Sequence, residues 1–92
     1  MSPRRRPREG SIRKVTLYTA QGCSLCGPVR RRVEAVRAEV PFELEEVDIT
    51  GDPELERRYR EWLPVVEIDG ERAFVYRVDE RELRMRLVGS PA

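Results

Sequence analysis

The sequence predicts a single α/β domain built on a mixed four-stranded β-sheet, with the element order βαβαββα. Three observations support this prediction. Apolar residues alternate in four short runs and recur at helical spacing in three other segments. An Asp-Gly pair at residues 69–70 separates the last two β-type runs, as in a β-hairpin. The two cysteines of the chain, Cys23 and Cys26, lie between the first β-type run and the first helical segment.

The first strand is predicted over residues 13–19, where successive side chains alternate between two faces. Tyr18 on this strand is predicted to face the core. The next segment, residues 24–40, places four valines at helical spacing and exposes its arginines, which predicts an amphipathic helix. Pro28 is tolerated near the start of this helix, and Pro41 ends it.

The second strand is predicted over residues 42–49. Its apolar alternation changes phase by one residue midway, which predicts a β-bulge or a twist. Asp52 and Pro53 then form a helix start, with the aspartate as N-cap and the proline in the first helical position. This helix is predicted to run to about residue 62. Its buried face is formed by three residues at helical spacing, Leu55, Tyr59 and Trp62.

The last elements are a β-hairpin and a helix. Residues 65–76 form the hairpin around the Asp-Gly turn. The final helix starts at Asp79, which forms an N-terminal capping pair with Glu82. Leu83 and Leu87 supply its apolar stripe, and residues 89–91 end it.

The composition is typical of a soluble domain with a narrow core, since 38% of the residues are charged and 39% are hydrophobic. The formal net charge of +1 implies no strong overall field for polyanions. Residues 1–11 are predicted to be a disordered basic tail, and residues 12–92 to form the domain. No stretch approaches the roughly 20 apolar residues that span a bilayer, so we expect no membrane association.

Cys23 and Cys26 are the candidate functional residues, because two thiols at this spacing can close and reopen a small disulfide ring. A strand before the pair and a helix after it are typical of a redox dithiol. A structural zinc site usually needs four Cys or His ligands, and the chain has two cysteines and no histidine. A metal shared by a dimer, a site completed by carboxylates, and two buried thiols without a function stay open as alternatives.

Several segments together resemble the glutaredoxin-like proteins of the thioredoxin-fold superfamily. They contain the C-x-x-C pair after a strand, an Asp-Pro helix start, a proline at the start of a strand, and an Asp-Gly turn at the expected separations. These segments are residues 17–26, 47–55, 63–66 and 69–70. The resemblance covers about residues 14–87, which is nearly all of the domain.

This resemblance implies a thioredoxin-like fold of the glutaredoxin type, with helices flanking the central sheet. It implies that Cys23 lies at the exposed start of the helix, where amide groups and the helix dipole favour a thiolate. Cys23 then attacks a disulfide, and Cys26 resolves the mixed disulfide. The resemblance also implies a cis bond between Leu63 and Pro64. There the proline faces the dithiol and leaves the backbone of Leu63 to pair with an extended substrate.

Four departures from family patterns narrow this expectation. Leu17 replaces a buried acid of thioredoxins and Gly22 replaces their aromatic residue, and both choices match glutaredoxins. Ala20 replaces the basic residue with which glutaredoxins hold a glutathione carboxylate. Residues 75–79 replace their Gly-Gly segment, and Arg77 there is a candidate anion contact. Glutathione stays a candidate reductant because of the resemblance to glutaredoxins. Since two of their glutathione contacts are replaced, no cofactor is firmly implied.

We predict a thiol–disulfide oxidoreductase that works through a mixed disulfide. Cys23 and Cys26 are its catalytic residues, and Leu63, Pro64 and Arg77 contact the substrate. The expected substrates are disulfide-bonded proteins or low-molecular-weight thiols, and the chain is expected to be a cytoplasmic monomer. Arginine is preferred over lysine along the whole chain, so the arginines of the basic tail reflect a general composition and we expect no nucleic-acid binding from it. We assign no metal ligand. The alternative is a redox-sensing, metal-binding or iron–sulfur-binding module of the same fold, without turnover.

Overall fold

The computed structural model describes residues 13–88, and its secondary structure follows the predicted order. The basic tail predicted at residues 1–11 and the helix end predicted at residues 89–91 lie outside this range. None of the helices within it is long and apolar enough to cross a membrane. The elements are β1 (Lys14–Thr19), α1 (Cys26–Arg37), β2 (Glu43–Asp48), α2 (Pro53–Tyr59), a 3-10 turn (Arg60–Trp62), β3 (Val65–Ile68), β4 (Glu71–Val75) and α3 (Glu80–Val88).

The four strands form one mixed sheet in the order β2-β1-β3-β4. β1 pairs in parallel with β2, and β3 runs antiparallel to both β1 and β4. This arrangement confirms the predicted central mixed sheet. Near the end of β1, Tyr18 is paired with Val65 at the start of β3. The segments that follow β1 and precede β3 therefore lie at the same edge of the sheet.

Helices cover both faces of the sheet. On one face, α1 and α3 pack on an aliphatic core in which Leu17, Val33 and Leu83 are fully buried. On the other face, α2 packs on a smaller cluster that includes the buried side chains of Ile49 and Tyr59. The two clusters differ in size and in chemistry, and the candidate site lies at the sheet edge where the two faces meet.

The phase change in β2 comes from this two-sided covering. Phe42 and Leu44 pack with the α1/α3 core, whereas Ile49 belongs to the α2 side. The register between β1 and β2 is continuous over all six residues of β1. Of the two alternatives predicted for this strand, a β-bulge or a twist, the bulge is therefore wrong. A register shift occurs instead between β3 and β4, after Val66.

Both predicted aspartate caps are confirmed. The carboxylate of Asp52 accepts hydrogen bonds from the backbone N–H groups of Glu54 at 3.1 Å and Leu55 at 3.2 Å. The carboxylate of Asp79 accepts one from the N–H of Glu82 at 3.1 Å. These bonds satisfy N–H groups that have no partner within the first turn of a helix. They fix where α2 and α3 begin.

The end of α2 differs from the prediction. The backbone of Tyr59 (φ −120°, ψ −13°) leaves the α-helical region, and the 3-10 turn follows. Because a 3-10 helix has three residues per turn, Trp62 rotates off the face that carries Tyr59. Trp62 is 41% exposed, so the prediction that it packs in the core is wrong. Tyr59 is buried as predicted.

Two tyrosines and a glutamate connect α2 to the sheet, and we call them the tyrosine clasp: Tyr18, Tyr59 and Glu67. The two rings are stacked, with centroids 4.1 Å apart, which confirms that Tyr18 faces the core. The carboxylate of Glu67 accepts hydrogen bonds from the Tyr59 hydroxyl at 2.9 Å and the Tyr18 hydroxyl at 3.4 Å. Burial raises the pKa of Tyr18, and the hydrogen bond to Tyr59 and the charge of Glu67 raise it further.

The predicted Asp-Gly turn closes the β3–β4 hairpin. Asp69 (φ 53°) and Gly70 (φ 87°) both have positive φ values, as a type I′ turn requires. The Asp69 carboxylate also accepts a hydrogen bond from the Lys14 N–H at 3.0 Å, and its own N–H donates to the Lys14 carbonyl at 2.8 Å. The turn is thereby fastened to the start of β1.

Candidate functional site

Cys23 and Cys26 form a disulfide bond, with their Cα atoms 5.5 Å apart. Cys23 is partly exposed, whereas Cys26 is only 4% exposed. A molecule that approaches from solvent therefore meets Cys23 before Cys26. The two cysteines therefore differ in their accessibility to a reagent.

The turn between β1 and α1 brings the chain to Cys23. Gly22 adopts a φ of 81°, a conformation that glycine takes with little steric cost. The Cys23 N–H donates to the Ala20 carbonyl at 3.3 Å. These two features hold Cys23 at the sheet edge that also carries the start of β3.

α1 begins at Cys26, two residues later than predicted, and it ends three residues earlier than predicted. Pro28 has no N–H, so it cannot donate to the carbonyl four residues before it. The first α-helical hydrogen bond instead runs from the Val29 N–H to the Leu25 carbonyl, at 3.2 Å. Cys23 therefore lies in the turn that leads into the helix, rather than in the first helical turn.

A cleft of about 390 Å³ opens beside Cys23. Its walls come from the turn before α1, the loop after β2, the end of α2 and the residue before Pro64. The residues that line it include Gln21, Cys23, Ser24, Leu25, Thr50, Glu56, Arg60 and Leu63. The volume lies within the range of small-molecule sites, so the cleft offers a substrate a place next to the exposed cysteine.

Hydrogen bonds join the loop after β2 to the turn before Cys23. The Gln21 N–H donates to the Thr50 hydroxyl oxygen at 2.9 Å, and the Thr50 N–H donates to a carboxylate oxygen of Asp48 at 2.8 Å. The backbone N–H of Thr50, and next its hydroxyl, hold the pKa of Asp48 below its ordinary value. The two loops that border the cleft are thus connected to each other.

Arg60 brings an exposed guanidinium to the cleft, as one member of an ion pair. Its guanidinium donates to one carboxylate oxygen of Glu56 at 2.7 Å, and the other oxygen accepts from the Gly51 N–H at 2.9 Å. The Arg60 side chain is 72% exposed. Glu56 also lines the cleft, so the pair adds little net charge there. The exposed guanidinium keeps further N–H donors that can bind an anionic group of a substrate.

A second recess borders the disulfide on the β2 side and includes both cysteines in its lining. Here Arg30 of α1 forms a two-pronged ion pair with the carboxylate of Glu46 on β2. This pairing neutralises the arginine that lines the recess with the two cysteines. The field of Arg30 at a Cys23 thiolate is therefore weak.

The structure brings most of the predicted site residues together, but not Arg77. Leu63 lines the cleft, the Leu63–Pro64 bond is cis, and Pro64 is buried. Arg77 is exposed and lines a separate recess at the start of α3. The reason is that β4 ends at Val75 and Tyr76 takes a positive φ of 76°, which directs the chain towards α3.

Sequence reasoning missed Gln21, Thr50 and Arg60. They belong to no motif. Gln21 is near Cys23 in the chain, whereas only the tertiary approach of β2 and α2 to β1 brings Thr50 and Arg60 to the same cleft. The one available signal is helical spacing, which puts Glu56 and Arg60 on one face of the predicted second helix. Within residues 13–88, no group of three or more His, Cys, Asp or Glu side chains is placed to hold a metal ion.

Comparison with known proteins confirms the predicted resemblance. Residues 14–88 match a family model described as "Glutaredoxin-like domain (DUF836)". This match includes every strand and helix described above, and both cysteines.

Similar sequences occur in mycobacteria. The chain is 32% identical over 82 residues to an uncharacterised protein of Mycobacterium tuberculosis, and equally to one of Mycobacterium bovis. In each case the alignment covers 84% of this chain and 84% of the relative. The similarity therefore extends over most of both proteins.

Solved structures confirm the fold class. A protein of Nitrosomonas europaea, solved by solution NMR, has a TM-score of 0.70 and 26% identity, covering 95% of this chain and 99% of its own. Chloroplastic thioredoxin z has a TM-score of 0.68 and 18% identity, covering 84% of this chain and 76% of its own. The fold is thioredoxin-like.

Proposed function

Because the chain belongs to the glutaredoxin-like domain family (DUF836), we propose that it is a thiol–disulfide oxidoreductase. The observation that carries this proposal is the Cys23–Cys26 disulfide, whose first cysteine is partly exposed beside a cleft while the second is buried. In such a pair a substrate can reach the exposed cysteine, and the buried cysteine lies next to it. These are the positions required of an attacking and a resolving thiol.

The reaction begins in the reduced protein, where the Cys23 thiolate attacks one sulfur of a substrate disulfide. The substrate S–S bond breaks, a bond between Cys23 and that sulfur forms, and the second substrate sulfur leaves as a thiolate. The Cys26 thiolate then attacks the sulfur of Cys23, closes the internal disulfide and releases the other substrate thiolate. The protein loses two electrons, the substrate gains two, and both leaving thiolates take protons from water.

The surroundings of the pair favour a thiolate. Cys23 precedes the N-terminal end of α1, and the first turn of this helix carries no acidic residue. The positive end of the helix dipole therefore acts on the sulfur without an opposing carboxylate in that turn. The chain has no histidine to act as a base, so the proton of the Cys23 thiol goes to water and the helix end stabilises the thiolate that remains.

The cleft residues divide the work of binding. We assign Leu63 and Pro64 to the wall along which an extended substrate lies, and Arg60 to an anionic group of that substrate. Arg77 lies outside the cleft, so we propose that it contacts an anionic group only of a substrate that extends past Tyr76. In this proposal both protein disulfides and low-molecular-weight disulfides reach Cys23.

Return to the dithiol requires an electron donor, for which we propose a low-molecular-weight thiol such as glutathione. Two monothiol molecules supply two electrons and leave as one disulfide. We assign the reaction to the cytoplasm, where a thiol pool keeps cysteines reduced, and expect the chain to act as a monomer. Neither a metal nor a resident cofactor takes part in these steps.

The test compares reduction of a glutathione mixed disulfide with reduction of a protein disulfide. Cys23→Ser is expected to abolish both activities. Cys26→Ser is expected to abolish protein disulfide reduction and to keep part of the other activity, because a second glutathione can release the first from Cys23. Met85→Ala, on α3 and outside the cleft lining, is the control and is expected to keep both.

Two results would contradict the proposal. The first is a wild-type protein that reduces neither the glutathione mixed disulfide nor the protein disulfide. If such a protein is also a coloured, iron-containing dimer, the non-catalytic iron–sulfur-binding module is favoured. Activity that survives Cys23→Ser would show that the reaction does not start at this cysteine.

A further inference from the structure

An exposed surface beside the cleft consists of Trp62, Arg72 and Tyr76, and we call it the aromatic ledge. Trp62 is 41% exposed and Tyr76 is 46% exposed. Their ring centroids lie 6.3 Å apart, and the guanidinium carbon of Arg72 lies 5.8 Å from the centroid of the Trp62 ring. Exposed apolar groups that adjoin one another mark interaction sites more often than singly scattered ones do.

The fold fixes Tyr76 in a conformation that bulky residues rarely adopt. Its φ is 76°, in the left-handed region that favours glycine. The Tyr76 N–H donates to the Pro64 carbonyl at 2.9 Å, and its hydroxyl donates to the Glu61 carbonyl at 2.9 Å. Both ends of the residue are held, so its exposed ring is positioned before any partner arrives. Backbone strain of this kind concentrates at binding sites.

The aromatic ledge adjoins the cleft wall without being part of it. Trp62 directly precedes Leu63, which lines the cleft, and Tyr76 is hydrogen-bonded to Pro64. Leu25, between the two cysteines, lines the same cleft and is 48% exposed. The ledge residues do not line the cleft. A small ligand can therefore fill the cleft without touching the ledge, whereas a polypeptide that runs past Leu63 meets it.

Arg72 gives the aromatic ledge an available positive charge. None of the ion pairs among residues 13–88 includes Arg72. Glu67 is its partner in the strand register, but the Glu67 carboxylate accepts from the two hydroxyls of the tyrosine clasp. An arginine that stacks on an aromatic ring keeps N–H donors at its edge. A carboxylate of another molecule can bind there without displacing an ion pair of this chain.

We propose that the aromatic ledge is the docking surface for disulfide-bonded protein substrates. Its occupant is an extended polypeptide segment with an apolar side chain against Trp62 and Tyr76 and a carboxylate against Arg72. This inference rests on the proposed function and adds to it a preference for protein disulfides over low-molecular-weight disulfides. The cleft binds the part of the substrate that contains the reacting disulfide, and the aromatic ledge binds the adjoining polypeptide segment.

The first test removes the ledge rings and compares two substrates. Trp62→Ala removes one ring, and Tyr76→Gly removes the other while suiting the positive φ. In the double variant we expect the KM for insulin to rise about tenfold with kcat unchanged. The kcat/KM for bis(2-hydroxyethyl) disulfide should stay within about twofold. Met85→Ala is the matched control, since it removes a side chain of α3 that is 61% exposed.

The second test does not depend on turnover. Trp62 is the only tryptophan of the chain, so its fluorescence reports the state of the ledge. In the Cys26→Ser protein, a mixed disulfide at Cys23 is stable because the resolving thiol is absent. With an unfolded insulin polypeptide attached through one of its own cysteines, and its other cysteines alkylated so that they cannot release it, Trp62 emission should shift to shorter wavelength as water is excluded from the ring. With glutathione attached it should not shift.

The outcomes separate this inference from the proposed function. Wild-type protein that reduces neither disulfide contradicts the proposed function itself. If the wild type is active but the double variant loses both activities equally, or neither, the ledge does not select protein substrates. Equal Trp62 emission in the two mixed disulfides would contradict the docking surface directly. A substrate-free emission shift that grows with protein concentration would assign the ledge to a second copy of the protein, and would also overturn the inference.

Discussion

The two faces of the sheet are closed by different kinds of contact. The α1/α3 face is an aliphatic core, where Val33 and Leu83 are fully buried. The α2 face buries fewer side chains and includes the tyrosine clasp, in which two hydroxyls donate to the carboxylate of Glu67. One face is therefore stabilised by a large number of buried apolar side chains. The other face combines a smaller buried cluster with a few side-chain hydrogen bonds.

This difference matters because the candidate site draws on both faces. Cys26 belongs to α1, which is anchored in the larger core. Arg60 and Leu63, on the opposite wall of the cleft, follow α2. Regions with fewer buried apolar contacts open locally at lower free energy. The wall to which we assign substrate binding thus lies on the side with fewer buried apolar contacts, and Cys26 belongs to the helix on the other side.

The largest expected effect is on the aliphatic face. Leu83→Ala should lower the free energy of unfolding by about 3 kcal/mol, because a fully buried leucine leaves a cavity. Leu55→Ala, at a partly buried position on the α2 side, should lower it by about 1 kcal/mol. Urea unfolding measures both values. Equal decreases in the free energy of unfolding would show that burial of apolar side chains stabilises the two faces equally.

The fold could be predicted from the sequence wherever a local pattern determines the structure. The Asp52 cap and the Asp69-Gly70 turn depend on neighbouring residues and are confirmed. The predictions of a β2 bulge and of a buried Trp62 are wrong because each depends on tertiary structure. Covering of both faces produces the phase change in β2, and the switch from α-helix to 3-10 turn exposes Trp62.

The site divides in the same way. Cys23 and Cys26 are close in sequence, so their pairing could be predicted from spacing and flanking elements. Arg60 could not, because its position in the cleft depends on how α2 packs on the sheet. The place of Arg77 after the hairpin predicts that it lies near the substrate, but the left-handed Tyr76 directs that segment towards α3.

The next largest effect tests the tyrosine clasp. Tyr59→Phe removes a buried hydroxyl that donates to Glu67 at 2.9 Å, and should lower the free energy of unfolding by about 2 kcal/mol. Tyr76→Phe removes an exposed hydroxyl that donates to a backbone carbonyl, and should cost less than about 1 kcal/mol. Thermal or urea unfolding compares the two variants. A negligible loss in Tyr59→Phe would show that shape alone holds α2 on the sheet.

The clasp should also make the α2 face sensitive to alkaline pH. Burial, then the hydrogen bond to Tyr59 and the charge of Glu67, raise the pKa of Tyr18 above its ordinary value of 10.0. Because the folded pKa is the higher one, the contribution is complete below about pH 10 and is lost as the pH rises further. Unfolding measured between about pH 8 and pH 11 should therefore show a smaller alkaline loss in Tyr18→Phe than in the wild type. Leu83→Ala should lower stability without altering that dependence.

The smallest expected effect is at Asp48, where the loop after β2 meets the turn before Cys23. The N–H of Thr50, and next its hydroxyl, hold the pKa of Asp48 below its ordinary value of 3.8. Because the folded pKa is the lower one, this contribution is present at neutral pH and is lost as the pH falls through the folded value. Carbon-13 NMR titration should show the Asp48 pKa rising towards 3.8 in Thr50→Ala and staying low in Thr50→Ser.

A wild-type Asp48 that titrates at or above 3.8 would contradict this hydrogen bonding. Thr50→Ala also removes the hydroxyl oxygen that accepts from the Gln21 N–H at 2.9 Å. The variant should therefore loosen the turn before Cys23 while leaving global stability nearly unchanged, because the loop is exposed. A change in the reactivity of Cys23 without a change in unfolding would show that the cleft loops position the exposed cysteine independently of both sheet faces.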